Sequence, residues 1–165
     1  MIHPFAATPQ RGWHLDDFAE LSTRLRGLGL RVAVLGSSRE RGLFEAARRL
    51  FGDDCVDLVG KSSLRVTMAL LRRATLFVGN DSGIMHLAAA AAIPLVTLFG
   101  PQSPVKFGPW STRATIVYKK FACSPCRQKF FTECEPSPRM KPACIEAIGV
   151  DEVFAACVDL LERKR

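Results

Sequence analysis

Apolar positions along this chain follow two different spacings. Short runs rich in Val, Leu and Phe are typical of buried strands, and they occur at residues 31–35, 56–59, 76–78, 95–99 and 115–118. Between and after them, apolar residues recur three and four positions apart, which predicts helices at 15–28, 42–51, 64–74, 82–92 and 150–163. The first residues of the chain could end a further short strand. Strands alternating with helices of this length predict an α/β fold with a parallel sheet covered on both faces.

Polar turns follow three of these strands, at residues 36–40, 60–63 and 79–83. The carboxyl ends of parallel strands meet at one edge, where open α/β sheets bind ligands, so we expect the three turns to lie together.

The third turn leads into a helix whose unpaired N–H groups and dipole attract phosphate. Ser82 and His86 lie on neighbouring parts of the first turn, and Gly83 leaves room for a ligand. Taken singly, Asp81 or Ser82 fits an N-cap and His86 a hydrogen-bonded histidine near a helix end. Their combination favours a site for a nucleotide diphosphate.

Length and composition are those of one compact domain, because 165 residues with 48% hydrophobic content suffice for a core and no flexible linker divides them. No apolar run approaches the roughly 20 residues that span a bilayer, and the first residues lack signal-peptide features, so we expect a cytoplasmic location. The sequence contains neither G-x-G-x-x-G nor a Walker A motif, so a classical dinucleotide or P-loop site has no support.

Positive charge is concentrated between Lys106 and Lys141, a segment that contains eight basic residues and two acidic ones. This excess suggests an anionic partner: a phosphorylated substrate, an anionic lipid surface or a nucleic acid. An ordinary solvated basic face explains it equally well. Interleaved aromatic residues are compatible with RNA, but no nucleic-acid motif accompanies them.

Four cysteines in the same region follow the spacing C-x2-C-x7-C-x9-C, at Cys123, Cys126, Cys134 and Cys144. This spacing predicts a structural site for zinc or another thiophilic metal. Reduced, partly buried thiols are the alternative, since disulfides are disfavoured in the cytoplasm. Cys55 and Cys157 fall in apolar patterns and are predicted core residues.

Several segments together resemble glycosyltransferase family 9, the ADP-heptose:lipopolysaccharide heptosyltransferases. The central one is Val78-Gly-Asn-Asp-Ser-Gly-Ile-Met-His-Leu-Ala-Ala-Ala90. It is accompanied by Ile93-Pro94, Phe99-Gly-Pro101, Gly108-Pro109, Gly60-Lys-Ser-Ser-Leu64, the Arg11-x-Trp13 opening and the late cysteines, which a subset of members have. The resemblance covers essentially all 165 residues.

The resemblance implies a GT-B enzyme, in which two Rossmann-like domains face a cleft. Residues 1–165 resemble the carboxyl-terminal, donor-binding domain of such an enzyme, with a cysteine-rich loop at 121–146. By analogy, the diphosphate and sugar would contact Asp81, Ser82, Gly83 and His86. The nucleoside would be lined by Gly60, Lys61 and Ser62, and Glu40 would accept from its ribose.

Arg11 stands where the family usually has Lys and would supply charge to the leaving diphosphate, with a different reach and geometry. No catalytic metal is implied, and the general base is an Asp of the amino-terminal domain, which this sequence does not contain.

The first functional hypothesis is therefore an incomplete, inverting, metal-independent heptosyltransferase. It would bind an ADP-sugar and act on lipopolysaccharide core or another glycan with an amino-terminal domain or chain, in the cytoplasm or at the inner-membrane surface. A stand-alone nucleotide-sugar binding or regulatory module is the second hypothesis. A zinc-stabilised module that binds an anionic polymer is the third.

Overall fold

A computed structural model describes residues 1–124, 126, 134 and 137–163 of the chain. The residues so described form a six-stranded sheet, made of β1 (Ile2–His3), β2 (Ala33–Gly36), β3 (Val56–Val59), β4 (Phe77–Asn80), β5 (Leu95–Phe99) and β6 (Ala114–Tyr118). All pairs are parallel, in the order β3-β2-β1-β4-β5-β6. The chain order reverses between β1 and β4, the topological switch point of a Rossmann-like sheet. The predicted α/β fold is confirmed.

Helices cover both faces of this sheet. Their bounds are α1 (Leu15–Gly27), α2 (Arg41–Phe51), α3 (Leu64–Arg72), α4 (Gly83–Ala90), α5 (Pro104–Phe107), α6 (Ala143–Glu146) and α7 (Val150–Glu162). The sequence predicted no helix at α5 or α6, because four residues are too few to show a helical period. No helix in the described part of the chain is long and apolar enough to cross a membrane.

Two cores hold the layers together. On one face, Phe18 of α1, Phe44 of α2 and Val153 of α7 are fully buried in a single cluster. On the other face, Leu71 of α3 and Met85 of α4 are buried in a second cluster. At about 25 cal/mol per Å² of apolar surface, this burial is the main force that keeps the helices on the sheet.

The sequence predicts α3 from apolar residues at positions 64, 66, 70 and 71, but the first two of these lie outside the core. Leu64 and Val66 are 68% and 48% exposed, whereas the buried residues of this helix are Thr67 and Leu71. The first turn of α3 therefore projects beyond the core at the carboxyl edge of the sheet.

A buried amide fixes the centre of that edge. The side chain of Asn80, at the end of β4, is fully buried, and its Nδ2 donates to the carbonyls of Pro4 (3.0 Å) and Phe5 (3.3 Å). Its Oδ1 accepts from the backbone N–H of Trp13 at 3.0 Å. Asn80 therefore joins β4 to the loop that follows β1 and to the segment that precedes α1.

Residues 137–148, which include the last of the four late cysteines, are tied to the same region. The Trp13 indole N–H donates to the Ile148 carbonyl at 2.8 Å. Glu146 lies 2.9 Å from His14 Nε2, and Arg139 pairs with Asp16 and Asp17 of α1 at 2.9 Å each. Residues 137–148 thus hold the 9–17 segment against the body of the domain.

Replacing Asn80 with Ala should lower the free energy of unfolding by about 2–4 kcal/mol, because buried backbone groups lose their partners. Chemical denaturation monitored by circular dichroism measures this change. Thr23→Ala is the control: Thr23 is an exposed residue of α1 whose hydroxyl donates to the Ala19 carbonyl, and its replacement should cost less than about 1 kcal/mol. Equal losses in the two variants would contradict the role given to Asn80.

Candidate functional site

A cavity of about 810 Å³ lies at the carboxyl edge of the sheet. The loops after β1, β2, β3 and β4 contribute to its walls, together with the first turns of α3 and α4. All three polar turns selected from the sequence reach it. Its volume is in the range of small-molecule and cofactor sites.

Six of the nine residues predicted to bind the donor line this cavity: Glu40, Gly60, Ser62, Ser82, Gly83 and His86. The other three, Arg11, Lys61 and Asp81, do not belong to the lining. Whether any of the nine binds a donor stays a prediction.

The first turn of α4 presents a small, polar wall. Ser82 is the N-cap residue, and its Oγ accepts from the backbone N–H of Met85 at 3.4 Å. Gly83 is exposed, and a Cβ built on it meets nothing within 4 Å. His86 lies one turn further on and is also exposed. A ligand can therefore approach the start of this helix closely.

His3 is a lining residue that the sequence did not reveal. It is 4% exposed, its Nδ1 lies 3.2 Å from Ser82 Oγ, and its Nε2 lies 3.9 Å from Glu40 Oε2. The ring thus connects the turn after β2 with the turn after β4. Only the pairing of His3 with Gly79 in the sheet brings it there.

Glu40 is an anionic group in the wall. Its Oε2 accepts from the backbone N–H of Ser37 at 2.6 Å within a capping box. Burial raises the pKa of Glu40, but the interaction with His3 and the hydrogen bond from Ser37 outweigh it and bring the pKa to about 2. The carboxylate is therefore ionised at neutral pH and can accept hydrogen bonds from hydroxyl groups.

The turns after β2 and β3 touch each other. The Gly60 N–H donates to the Gly36 carbonyl at 2.8 Å, and a Cβ on Gly60 would lie 3.2 Å from Cα of Ser38. Gly60 also has φ +69°, a conformation that favours glycine. Ser62 Oγ lies 2.9 Å from Thr67 Oγ1, a further lining residue that the sequence did not single out.

Arg11 and Asp81 form a partly buried ion pair beside the cavity. Arg11 Nη2 bonds to Asp81 Oδ2, and the two side chains are 18% and 9% exposed. Arg11 Nε is buried and has no hydrogen-bond partner among the described residues. Asp81 thus positions the guanidinium next to the N-cap of α4.

Lys61 lies at the sheet edge instead of the cavity. Its Nζ is 2.7 Å from Asp57 Oδ2, and Arg41 Nη1 is 2.6 Å from the same oxygen. Burial raises the pKa of Asp57, but the hydrogen bonds from Lys61 and Arg41 lower it by more. The prediction placed this ammonium group beside a nucleoside, whereas the structure pairs it with a carboxylate of β3.

The electrostatics of the cavity favour an anion on one side. Helices α3 and α4 both begin at its wall, so their unpaired N–H groups and positive dipole ends face the same space. Glu40 lines the same cavity and adds acceptor oxygens to it. This arrangement fits a ligand that has phosphates at one end and hydroxyl groups at the other.

The four late cysteines surround a separate cavity of about 40 Å³, which Pro101 and Phe121 also line. Burial raises the pKa of the Cys144 thiol to about 11, and the charges of the other three thiols act in the same direction. Yet among the described residues, no three or more His, Cys, Asp or Glu side chains form a group that could hold a metal ion. The thiols share a cavity without being arranged as ligands.

Part of the predicted basic and aromatic region lies outside the described residues, namely the basic residues at 127 and 129 and the aromatic residues at 130 and 131. Cys55 and Cys157 are buried in the core cluster of α1, α2 and α7, as predicted.

Fold and cavity together define a Rossmann-like α/β domain with a cavity of ligand size at the carboxyl edge of its sheet. The sequence profile of glycosyltransferase family 9 (heptosyltransferase) matches residues 1–134. The chain belongs to this family, and the resemblance inferred from its motifs is confirmed.

Individual relatives agree with this assignment. Lipooligosaccharide heptosyltransferase 2 of Haemophilus influenzae is 37% identical over 113 residues, which cover 66% of this chain and 33% of that protein. Lipopolysaccharide heptosyltransferase 2 of Salmonella typhimurium is 32% identical over 113 residues, covering 66% of this chain and 32% of the relative. The matched region therefore spans about a third of these proteins' length.

Solved structures extend the match to the whole chain. The structure of the ADP-heptose lipopolysaccharide heptosyltransferase II of E. coli superposes with a TM-score of 0.79 and 26% identity, covering 99% of this chain and 46% of that one. A family 9 glycosyltransferase from Veillonella parvula has the same fold, with a TM-score of 0.79, 23% identity and coverage of 98% and 45%. This chain thus corresponds to slightly less than half of each.

Proposed function

We propose that residues 1–165 form a single donor-binding domain of a heptosyltransferase, which holds an ADP-sugar. The observation that carries this proposal is the 810 Å³ cavity, which the N-termini of α3 and α4 and the Glu40 side chain all line. The E. coli relative, which is 26% identical, is an ADP-heptose heptosyltransferase. Heptose or a related sugar is accordingly the group proposed to be transferred.

The diphosphate would lie at the first turn of α4, near Ser82, Gly83 and His86. A fixed helix N-terminus needs no reorganisation when negative charge develops on the leaving group. Arg11 adds a cation held in place by Asp81, and its unpartnered Nε is a further donor. These groups stabilise the departing nucleoside diphosphate without a catalytic metal.

The nucleoside would lie toward the turns after β2 and β3. Glu40, ionised at neutral pH, accepts hydrogen bonds from the ribose hydroxyls. Gly60 and Ser62 line the adjoining wall. Lys61 would take part only if its pair with Asp57 opened, so we assign it no direct contact in this proposal.

Activation of the acceptor hydroxyl is assigned to a carboxylate outside this chain. Inverting transfer needs a general base on the face of the sugar opposite the leaving group. The acceptor would be lipopolysaccharide core or another glycan, bound with an amino-terminal domain or chain. Alone, this domain should bind the donor without transferring the sugar, as a stand-alone nucleotide-sugar binding module also would.

ADP should bind this chain with a Kd of about 1 mM or tighter, measured by isothermal titration calorimetry. Gly83→Ala should weaken binding at least about tenfold, equivalent to 1.4 kcal/mol, because the new methyl group occupies the space of the diphosphate. The fold has room for that methyl group, since nothing lies within 4 Å of its position.

Gly27→Ala is the matched control. Gly27 ends α1, at the opposite edge of the sheet, and a Cβ there also meets nothing within 4 Å. This variant should bind ADP like the parent chain. No heat of binding at millimolar ADP, or equal affinity of the two variants, would contradict the proposal.

We further propose that Cys123, Cys126, Cys134 and Cys144 bind a structural thiophilic metal ion, zinc in the first instance. Their common 40 Å³ cavity supports this, because four thiolates are a donor set that zinc prefers. When bound, such a metal would cross-link the cysteine-rich loop, and it takes no part in sugar transfer. Binding requires the thiols to deprotonate and move into ligand geometry.

Elemental analysis of the purified chain should find close to one equivalent of metal, and Cys123→Ser with Cys126→Ser should abolish it. Cys55→Ala is the control, because Cys55 does not line the cavity that the four late cysteines share and its loss should leave the metal content unchanged. Metal-free protein after growth with added zinc would exclude this site.

A further inference from the structure

A buried histidine connects two walls of the proposed donor site. His3, at the end of β1, is 4% exposed and lines the cavity. Its Nδ1 lies 3.2 Å from Oγ of Ser82, the N-cap residue of α4, and its Nε2 lies 3.9 Å from Glu40 Oε2. Ser82 belongs to the part of the site proposed for the diphosphate, and Glu40 to the part proposed for the nucleoside. The imidazole ring thus lies next to a polar group of each part.

Packing fixes this ring in place. It meets the Phe5 ring edge-to-face, with 5.7 Å between the ring centres and 78° between the planes. β1 also lies very close to β4, since a Cβ on Gly79 would come within 3.0 Å of the His3 carbonyl oxygen. A buried ring packed in this way has little freedom to leave Ser82 and Glu40. A change in its protonation therefore acts directly on these two neighbours.

In the neutral ring, the hydroxyl hydrogen of Ser82 is already used. The ionised Glu40 carboxylate favours the tautomer that carries its hydrogen on Nε2, which leaves Nδ1 as an acceptor. Ser82 Oγ accepts from the backbone N–H of Met85, and its hydroxyl donates to Nδ1. A hydroxyl has one hydrogen, so none remains for a phosphate oxygen.

In the protonated ring, the same hydrogen is released. Both ring nitrogens are then donors, so Nδ1–H donates to Ser82 Oγ while Nε2–H lies next to the Glu40 carboxylate. Oγ now accepts two hydrogen bonds, and its hydroxyl hydrogen can bond to an anion at the first turn of α4. The ring also adds a positive charge beside that turn. An anion in the cavity is accordingly held better when His3 is protonated.

The other charged groups around His3 come from three elements. Glu40 is in the turn after β2, and His86 is on α4, where it is exposed and is a second possible site of protonation. Arg11 and Asp81 lie beside the N-cap of α4 and neutralise each other as an ion pair. The described residues of the turn after β3 that line the cavity are uncharged. A test of the coupling must therefore separate His3 from His86.

We propose that His3 is a positioning residue that couples binding of the ADP-sugar diphosphate to the uptake of a proton. It acts through Ser82, whose hydroxyl hydrogen it releases to the ligand. By thermodynamic linkage, a ligand that prefers the protonated ring binds more tightly as the pH falls through the range in which histidine titrates. This inference rests on the proposal that the diphosphate lies at the first turn of α4.

Isothermal titration calorimetry with ADP-glucose tests the coupling in the unmodified chain. The diester phosphates of this ADP-sugar keep the same charge near neutral pH, so the ligand itself adds no titration. Its affinity should rise at least about threefold from about pH 8 to about pH 6. Near neutral pH, titrations in buffers of different ionisation enthalpy should show the uptake of about 0.3 protons or more per ligand bound.

His3→Asn should abolish most of this uptake, because the amide keeps a polar group near Ser82 but does not titrate. His14→Asn is the matched control: His14 is also buried beside a glutamate, Glu146, but does not line the cavity. That variant should keep the uptake. His86→Gln should keep it as well, which leaves His3 as the histidine of the cavity that takes up the proton.

Binding of ADP-glucose without proton uptake would overturn this inference and leave the donor proposal intact. Uptake that His3→Asn leaves unchanged, or that His86→Gln removes, would do the same. Absence of ADP-glucose binding at both pH values would overturn both proposals. If His3→Asn did not fold, His86→Gln would still decide which of the two histidines takes up the proton.

Discussion

The three hydrogen bonds of the buried Asn80 side chain are the constraint on which the site depends. One amide joins three segments that are distant in sequence: the end of β4, the loop at Pro4 and Phe5, and the backbone at Trp13. A buried amide with all of these partners satisfied fixes their relative positions more closely than apolar packing alone. The residues on either side of these contacts, His3, Arg11 and Ser82, are thereby brought around one helix N-terminus.

Charge within the site is arranged so that each group has a fixed counterpart before any ligand arrives. Asp81 orients Arg11, and His3 lies between Ser82 and Glu40. Preorganised groups of this kind stabilise a leaving diphosphate without the cost of reorientation. The same design explains the division of labour that we propose, in which this chain holds the donor and another carboxylate activates the acceptor.

Much of this arrangement follows from the sequence. The apolar runs predicted the strands. The polar turns after three of them indicated the edge of the sheet at which the cavity lies. The sequence does not show which parallel strands are neighbours. The contact between His3 of β1 and Ser82 after β4 was therefore not predicted. The ion pair between Lys61 and Asp57 could not be predicted either. Motif spacing does not show that the side chain of Asp57, on β3, lies next to Lys61. α5 was not predicted, because a single helical turn has no periodicity. The exposure of Val105 and Trp110 was not predicted either.

Amide hydrogen exchange with and without saturating ADP tests the central claim most directly, because it locates the ligand on the chain without a substitution. The account predicts added protection at residues 36–40, 60–63 and 82–86, and none in α7 on the far face of the sheet. Unchanged exchange at all three turns, or protection confined to another surface, would contradict it.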